Sequence, residues 1–329
     1  MEITGLEIIP IEMAFKSREE EGGLGAYTRH GSSRQVQPRV LVRLETAEDV
    51  TGWGELFPVV GTARATRVLF EELIEPYIVG ETVWEIESFI RERREAAPAY
   101  APETVEAFLG GVEMAMWDAW GKRLGVPLHQ LLGGKCADTV PFAFALGILS
   151  PDESRKHARW AYENGFTVLK TKAGVDWKQD VERIAAMHDE TDGELEFRLD
   201  PNQGYTLEDA VRVGANLEDR GVYLQYLEQP VRIDSFGTYK RLRERLRTPI
   251  AVNEDMYMSH NLLHLVKEDA IDVGVIELIA TGGILGMKRL AGVAADAGIS
   301  LSHHSGRDLG VKTAAVLHAV STTPAVNLP

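Results

Sequence analysis

Residues 195–257 read LEFRLDPNQGYTLEDAVRVGANLEDRGVYLQYLEQPVRIDSFGTYKRLRERLRTPIAVNEDMY, and three short apolar runs in this stretch each end in acidic or amide side chains. The ends are Asp200, Glu228 and the group Asn253, Glu254 and Asp255. An amphipathic segment follows each run, so one βα unit separates each acidic end from the next. If the strands are parallel and close into a barrel, all three ends meet at one mouth, the face where such folds carry function. Oxygen-only donors of this kind suit a hard divalent cation such as Mg²⁺ and not zinc or copper.

The alternation extends beyond this stretch. Apolar runs recur at VPFAFAL (140–146), FTVLKTK (166–172), LEFRLD (195–200), VYLQYLE (222–228), PIAVN (249–253), VGVIEL (273–278), ISLSHH (299–304) and PAVNL (324–328). Eight such units predict an α/β fold, a modified (β/α)8 (TIM-like) barrel. A doubly wound open sheet would call for a glycine-rich first turn, and no G-x-G-x-x-G follows a strand. Upstream, VLVRLET (40–46) and VTGWGELF (50–57) predict a hairpin, and PETVEAFLGGVEMAMWDAWGKRLG (102–125) predicts a helix that stops at Gly125 with Pro127 just beyond. The expected division is therefore an α+β part over 1–125 and the barrel over 126–329. EEEGGLGAYTRHGSSRQVQP (19–38), rich in Gly, Ser and charge, is expected to be a mobile loop.

The 329 residues are 44% hydrophobic and 26% charged, a composition that permits a large core and more than one domain. No apolar run reaches membrane-spanning length and no signal-peptide pattern opens the chain, so a cytoplasmic location is expected. A net charge of −15 argues against nucleic acid or an anionic membrane as partner. The single cysteine, Cys136, has no companion for a disulfide or a metal and reads as a plain structural thiol.

Lys170 and Lys172 in LKTKAG lie two apart on one strand, so both ammonium groups point the same way, into a barrel. Two buried cations disfavour each other's charge, which turns a lysine into a general base. Read alone, K-x-K at a strand end is equally a solvated pair; the carboxylates on the next two strands shift the reading. Asp200 read alone could merely cap the following helix. Asn202 in DPNQG is a candidate substrate contact. Of His303 and His304 in SLSHHSG, alternation admits only one to the site. Glu277, near the end of the neighbouring run, could orient that imidazole, or could instead pair with Lys288 or Arg289 on the barrel wall.

Taken together, GWGE (52–55), AMWDAWGKRLGVPLHQLLGGK (115–135), KTKAG (170–174), DPNQG (200–204), LEQP (227–230) and GISLSHHSG (298–306) resemble the enolase superfamily, in particular its mandelate racemase and acid-sugar (glucarate-like) dehydratase branch. The resemblance implies an N-terminal α+β capping domain on a modified barrel, and Mg²⁺ that stabilises an enediolate formed when a base removes the proton α to a carboxylate. It implies Asp200 and Glu228 as metal ligands, Lys172 as base on one face, and Lys170 beside the substrate carboxylate, depressing the pKa of Lys172. His304, not His303, takes the histidine position, and Glu277 that of the aspartate pairing with it. The third ligand is Glu254 or Asn253, with Glu254 favoured because a full charge offsets the cation better.

Ala280 stands where some branches carry a strand-six lysine, which argues against a two-lysine mechanism. The sequence ends at Pro329, where family members continue into a segment of the cap, so the expectation is an incomplete sequence or an altered cap. SHHSG followed by RDLG resembles acid-sugar dehydratases, so the expected enzyme is a lyase giving a 2-keto-3-deoxy product. A racemase or epimerase of a 2-hydroxy or amino acid derivative is the second reading, and a non-catalytic protein on the same fold the third. The partner implied is a small-molecule carboxylate, an acid sugar or diacid, met by Tyr27, Arg29, His30 and Arg34 of the 19–38 segment. A homo-oligomer is usual for the family.

Overall fold

The computed structural model describes residues 1–16, 27–29, 32–59, 61–97 and 102–329, with the side chains of 27–29 and 32–34 outside the description. Two bodies of secondary structure follow each other along the chain. The first is an antiparallel three-stranded sheet in the order β1 (Ile3–Ala14), β4 (Val36–Thr46) and β5 (Thr51–Leu56). Between β1 and β4 lies a small ribbon, β2 (Tyr27–Arg29) against β3 (Ser32–Arg34). The segment expected to be a loop over 19–38 is thus partly strand: β4 begins at Val36 and its pairing with β1 runs to Ala14 opposite Val36. Long-range pairing overrides the local turn-rich composition there.

Four helices complete this part: α1 (Ala63–Leu73), α2 (Glu75–Ile78), α3 (Ile86–Ala96) and α4 (Pro102–Leu124). Helix α4 is buried on nearly every side from Val105 to Trp117, because it lies between the sheet and the barrel; it touches β4, β5 and the helix Ile284–Asp296. GWGE owes its glycines to this contact. A Cβ built on Gly54 would stand 2.0 Å from the carbonyl oxygen of Gly111 on α4, so no side chain fits.

The second body is an eight-stranded parallel sheet whose strands pair in sequence order: β6 (Phe144–Leu146), β7 (Val168–Lys172), β8 (Glu196–Asp200), β9 (Leu224–Glu228), β10 (Ile250–Val252), β11 (Val273–Ile276), β12 (Ser300–His303) and β13 (Val326–Leu328). This is the modified barrel with an N-terminal cap. All eight expected runs contribute a strand. The first begins late, at Phe144, after Pro141, which has no backbone donor for a ladder. Register sets the site: Lys172 is level with Asp200, and Ala251 with Glu228. Helix Leu207–Asp219 is capped by Thr206, whose hydroxyl accepts from Asp209 N at 3.1 Å, so Asp200 is released from any capping task. Among the described residues no helix is long and apolar enough to cross a membrane.

Candidate active site

At the C-terminal ends of β7, β8 and β9, four charged side chains interlock. Lys170 donates to both carboxylate oxygens of Glu228, at 2.6 and 2.7 Å, and lies 3.0 Å from Asp200 Oδ2. Lys172 donates to the same oxygen of Asp200. Asp200 and Glu228 are fully buried. Burial alone would lower Lys170, but Asp200 and Glu228 outweigh it and hold the ammonium well above the usual lysine range. The depression expected of a buried cation is therefore not found at Lys170: two carboxylates face it, and their attraction exceeds the cost of burial. Burial would likewise raise Asp200, yet Lys170 and Lys172 hold it below the usual carboxylate range. Glu228 goes the other way, raised by burial and then by Asp200.

Glu254 lies one strand further on, in the short turn of 3₁₀ helix Glu254–Tyr257. Its Oε1 accepts from Asn202 Nδ2 at 3.2 Å and Gln203 Nε2 at 3.4 Å, and its acidity is weakened by burial and by Asp200. Asn253 is differently employed. Its Nδ2 donates to Val275 O at 2.9 Å and its Oδ1 accepts from Tyr257 OH at 3.1 Å, so the amide ties β10 to β11 and supports the turn. Of the two candidates for a third ligand, the hydrogen bonding supports Glu254.

Among the described residues no three His, Cys, Asp or Glu side chains already converge as a metal cage, since Asp200 and Glu228 turn to the lysines. The donor chemistry nonetheless fits a hard divalent cation. Asp200 pushes up both Glu228 and Glu254, so the three carboxylates crowd one another, and a cation between them would relieve that repulsion. Asn202 Oδ1, buried beside this group, has no hydrogen-bond partner among the described residues, and its backbone N–H donates to Asp200 Oδ1 at 2.9 Å. Asn202 and Gln203 take positive φ, 46° and 70°, and Gln229 takes 39°. Such strain at three residues, just past the ends of two neighbouring strands, is typical of a functional site.

Across from the lysines, His304 follows β12, with its backbone N–H bonded to Ile276 O at 2.8 Å. Burial, then Lys170, Lys312 and Lys172, hold its imidazole well below the usual histidine range. His303, inside the strand, packs edge-on against Phe142 at 5.0 Å and is pushed down to about 4 by burial and by Arg198. The expected dyad is not formed. Glu277 is paired with Lys312, and its Oε2 accepts from Ala280 N at 2.6 Å. Neither wall cation proposed for it is its partner: Lys288 donates to Thr322 O at 2.8 Å.

Lys312 escaped the sequence reading, although a signal was present. In the helix Gly310–Ser321 the buried positions Lys312, Ala315, Val316 and Ala319 form one apolar stripe, and a lysine inside such a stripe needs a buried partner. Gln229 was passed over too. Its Oε1 accepts from Asn253 N at 2.9 Å, and its Nε2 donates to Asp255 Oδ2 at 2.8 Å, which fixes the turn that presents Glu254. For the 19–38 segment, His30 lies outside the described residues, as do the side chains of Tyr27, Arg29 and Arg34; their backbone forms the β2–β3 ribbon.

Comparison with known proteins adds a lineage. Residues 153–329 match the family described as enolase C-terminal domain-like, and residues 28–133 match the mandelate racemase / muconate lactonizing enzyme N-terminal domain. The chain is similar to the L-Ala-D/L-Glu epimerase of Bacillus subtilis, 26% identical over 79% of this chain and 71% of the relative. It is similar to the arabinonate dehydratase of Saccharolobus solfataricus, 27% identical over 80% of this chain and 72% of the relative. Among solved structures, the dipeptide epimerase of Enterococcus faecalis complexed with Mg and L-Leu-L-Tyr superposes with a TM-score of 0.88 at 25% identity, covering 99% of this chain and 89% of that one.

Proposed function

Because the chain belongs to the mandelate racemase and muconate lactonizing enzyme branch of the enolase superfamily, we propose that it removes the proton α to a small-molecule carboxylate and carries an acid sugar through to a 2-keto-3-deoxy product. One observation carries the reading: Lys172 on β7 pairs with Asp200 beside Glu228 and Glu254, and the imidazole of His304, after β12, feels the charges of both lysines. Asp200, Glu228 and Glu254 would hold Mg²⁺, which when bound supplies positive charge where the enediolate becomes a dianion. Lys170, next to Glu228, adds a fixed ammonium for the substrate carboxylate. Lys172 serves one face of the α carbon and His304 the other. In dehydration the imidazolium of His304 gives its proton to the departing β-hydroxyl, and the enol that remains becomes the ketone.

Epimerisation is the second reading, and the relatives favour it as much, since they include epimerases alongside a dehydratase. There Lys172 protonates the face opposite His304 and the carbon inverts. The test is incubation with Mg²⁺ and a panel of acid sugars in deuterated water. A 2-keto-3-deoxy product supports dehydration. Deuterium at the α carbon with no keto product selects epimerisation, and neither exchange nor Mg²⁺ binding defeats both.

A further inference from the structure

Glu277 stands where a carboxylate could orient His304, yet it bonds elsewhere. One oxygen takes the ammonium of Lys312 and the other the backbone N–H of Ala280. Lys312 is in turn fixed by Asp308 at 3.0 Å, and Asp308 by Arg39 at 3.6 Å. The whole group is buried: Lys312 is 2% exposed and Glu277 1%. His304 Nδ1, meanwhile, is buried without a hydrogen-bond partner among the described residues. Register sets Glu277 and His304 one residue past the Ile276–His303 pair of neighbouring strands, so an orphaned imidazole nitrogen on one and a carboxylate claimed by a lysine on the other mark an interrupted dyad. The charged groups that act on His304 are Lys170 and Lys172 from β7, Lys312 from the helix Gly310–Ser321 and Asp200 from β8, while Glu277, one residue past the Ile276–His303 pair of β11 and β12, acts on Lys312.

We propose that Lys312 is a positioning residue: by engaging Glu277 it withholds that carboxylate from His304 and keeps the imidazole an uncharged proton acceptor. A histidine hydrogen-bonded to a carboxylate is more basic and more easily charged. The same histidine faced by three ammonium groups and one remote carboxylate stays neutral. Resting on the proposed function, this means that His304 enters the reaction as a base on its own face, and that the proton it gives to a departing hydroxyl is the one it took from the α carbon. The C–H electron pair becomes the π bond between the α and β carbons, and the C–O pair leaves with the hydroxyl, which the returned proton converts to water, so no further reagent is needed.

The test is the ¹⁵N-detected titration of histidine side chains in the intact protein, without substrate. In the wild type, the His304 midpoint should lie below those of exposed histidines, with no strongly downfield Nδ1 proton of the kind an imidazole donating to carboxylate shows. K312M should raise the His304 midpoint by at least one pH unit, K312R should leave it in place, and K312M/E277Q should remove the rise. A downfield Nδ1 proton in the wild type would overturn the proposal even if K312M did not fold, and an unmoved midpoint in folded K312M would do so too. Since no substrate is used, a failure of turnover counts against the proposed function alone.

Discussion

Two adjacent side chains, Asn253 and Glu254, divide ligation from support, and mutants should separate them. E254Q is expected to weaken Mg²⁺ binding at least tenfold by titration calorimetry with little change in melting temperature, because it removes a charge from the cluster. N253A should leave Mg²⁺ affinity within about twofold and destabilise by about 1–3 kcal/mol in urea unfolding, since it strands Val275 O and Tyr257 OH. Lys172→Ala should abolish α-proton exchange on the face that Lys172 serves while Mg²⁺ binding persists; loss of binding would mean that the ligand set is wrong. At this scale the sequence was informative where strand periodicity fixed direction. Lys170, Lys172, Asp200 and Glu228 could be brought together by counting alone. It was silent where a partner comes from a distant helix: nothing local to Glu277 announces Lys312, 35 positions away. The choice between Asn253 and Glu254 likewise depended on partners that only folding supplies: Val275 O for the amide of Asn253, and the side-chain amides of Asn202 and Gln203 for the carboxylate of Glu254.

At the scale of elements, helices of the barrel are completed by the cap. Glu113 on α4 accepts from Ile284 N at 2.6 Å and Leu285 N at 2.8 Å, and Glu55 on β5 accepts from Leu309 N at 2.7 Å and Lys312 N at 2.9 Å. Both carboxylates sit at helix N-termini, where orphan donors and the macrodipole favour negative charge. Burial nevertheless pushes Glu113 up to about 7, from a reference value of 4.5. The native state then binds more protons than the unfolded chain between these two values, so the contribution is complete below the lower one and is lost as pH rises through the upper. Between pH 5 and pH 8 the wild type should lose up to about 3 kcal/mol relative to E113Q, at about 1.4 kcal/mol per unit, as read by denaturant midpoints. A rise instead of a loss would refute the assignment. The helix over 102–124 was legible from its periodicity and its Gly125 stop. Its capping task was not, since Glu113 and Ile284 are joined only by folding.

For the whole molecule, packing of β5 on α4 sets tolerance to change. G54A should lower stability by about 3 kcal/mol or more, because the added methyl meets a backbone carbonyl that cannot yield. G237A, where a methyl meets nothing within 4 Å near the start of the helix Phe236–Arg245, should instead be neutral or stabilising by up to about 1 kcal/mol. Thermal unfolding of the two variants beside the wild type checks both signs. The architecture was legible because eight apolar runs recur with one helix each, whereas the ribbon of β2 and β3 was hidden by a composition that looks like loop. The carboxylates of Glu55 and Glu113 also bear on modularity. A barrel of this sequence grafted onto a foreign cap would bury four backbone donors, at Ile284, Leu285, Leu309 and Lys312, with nothing to receive them. Recombination that exchanges one half must therefore carry both acids with it, and the two halves are constrained to descend as a single heritable unit.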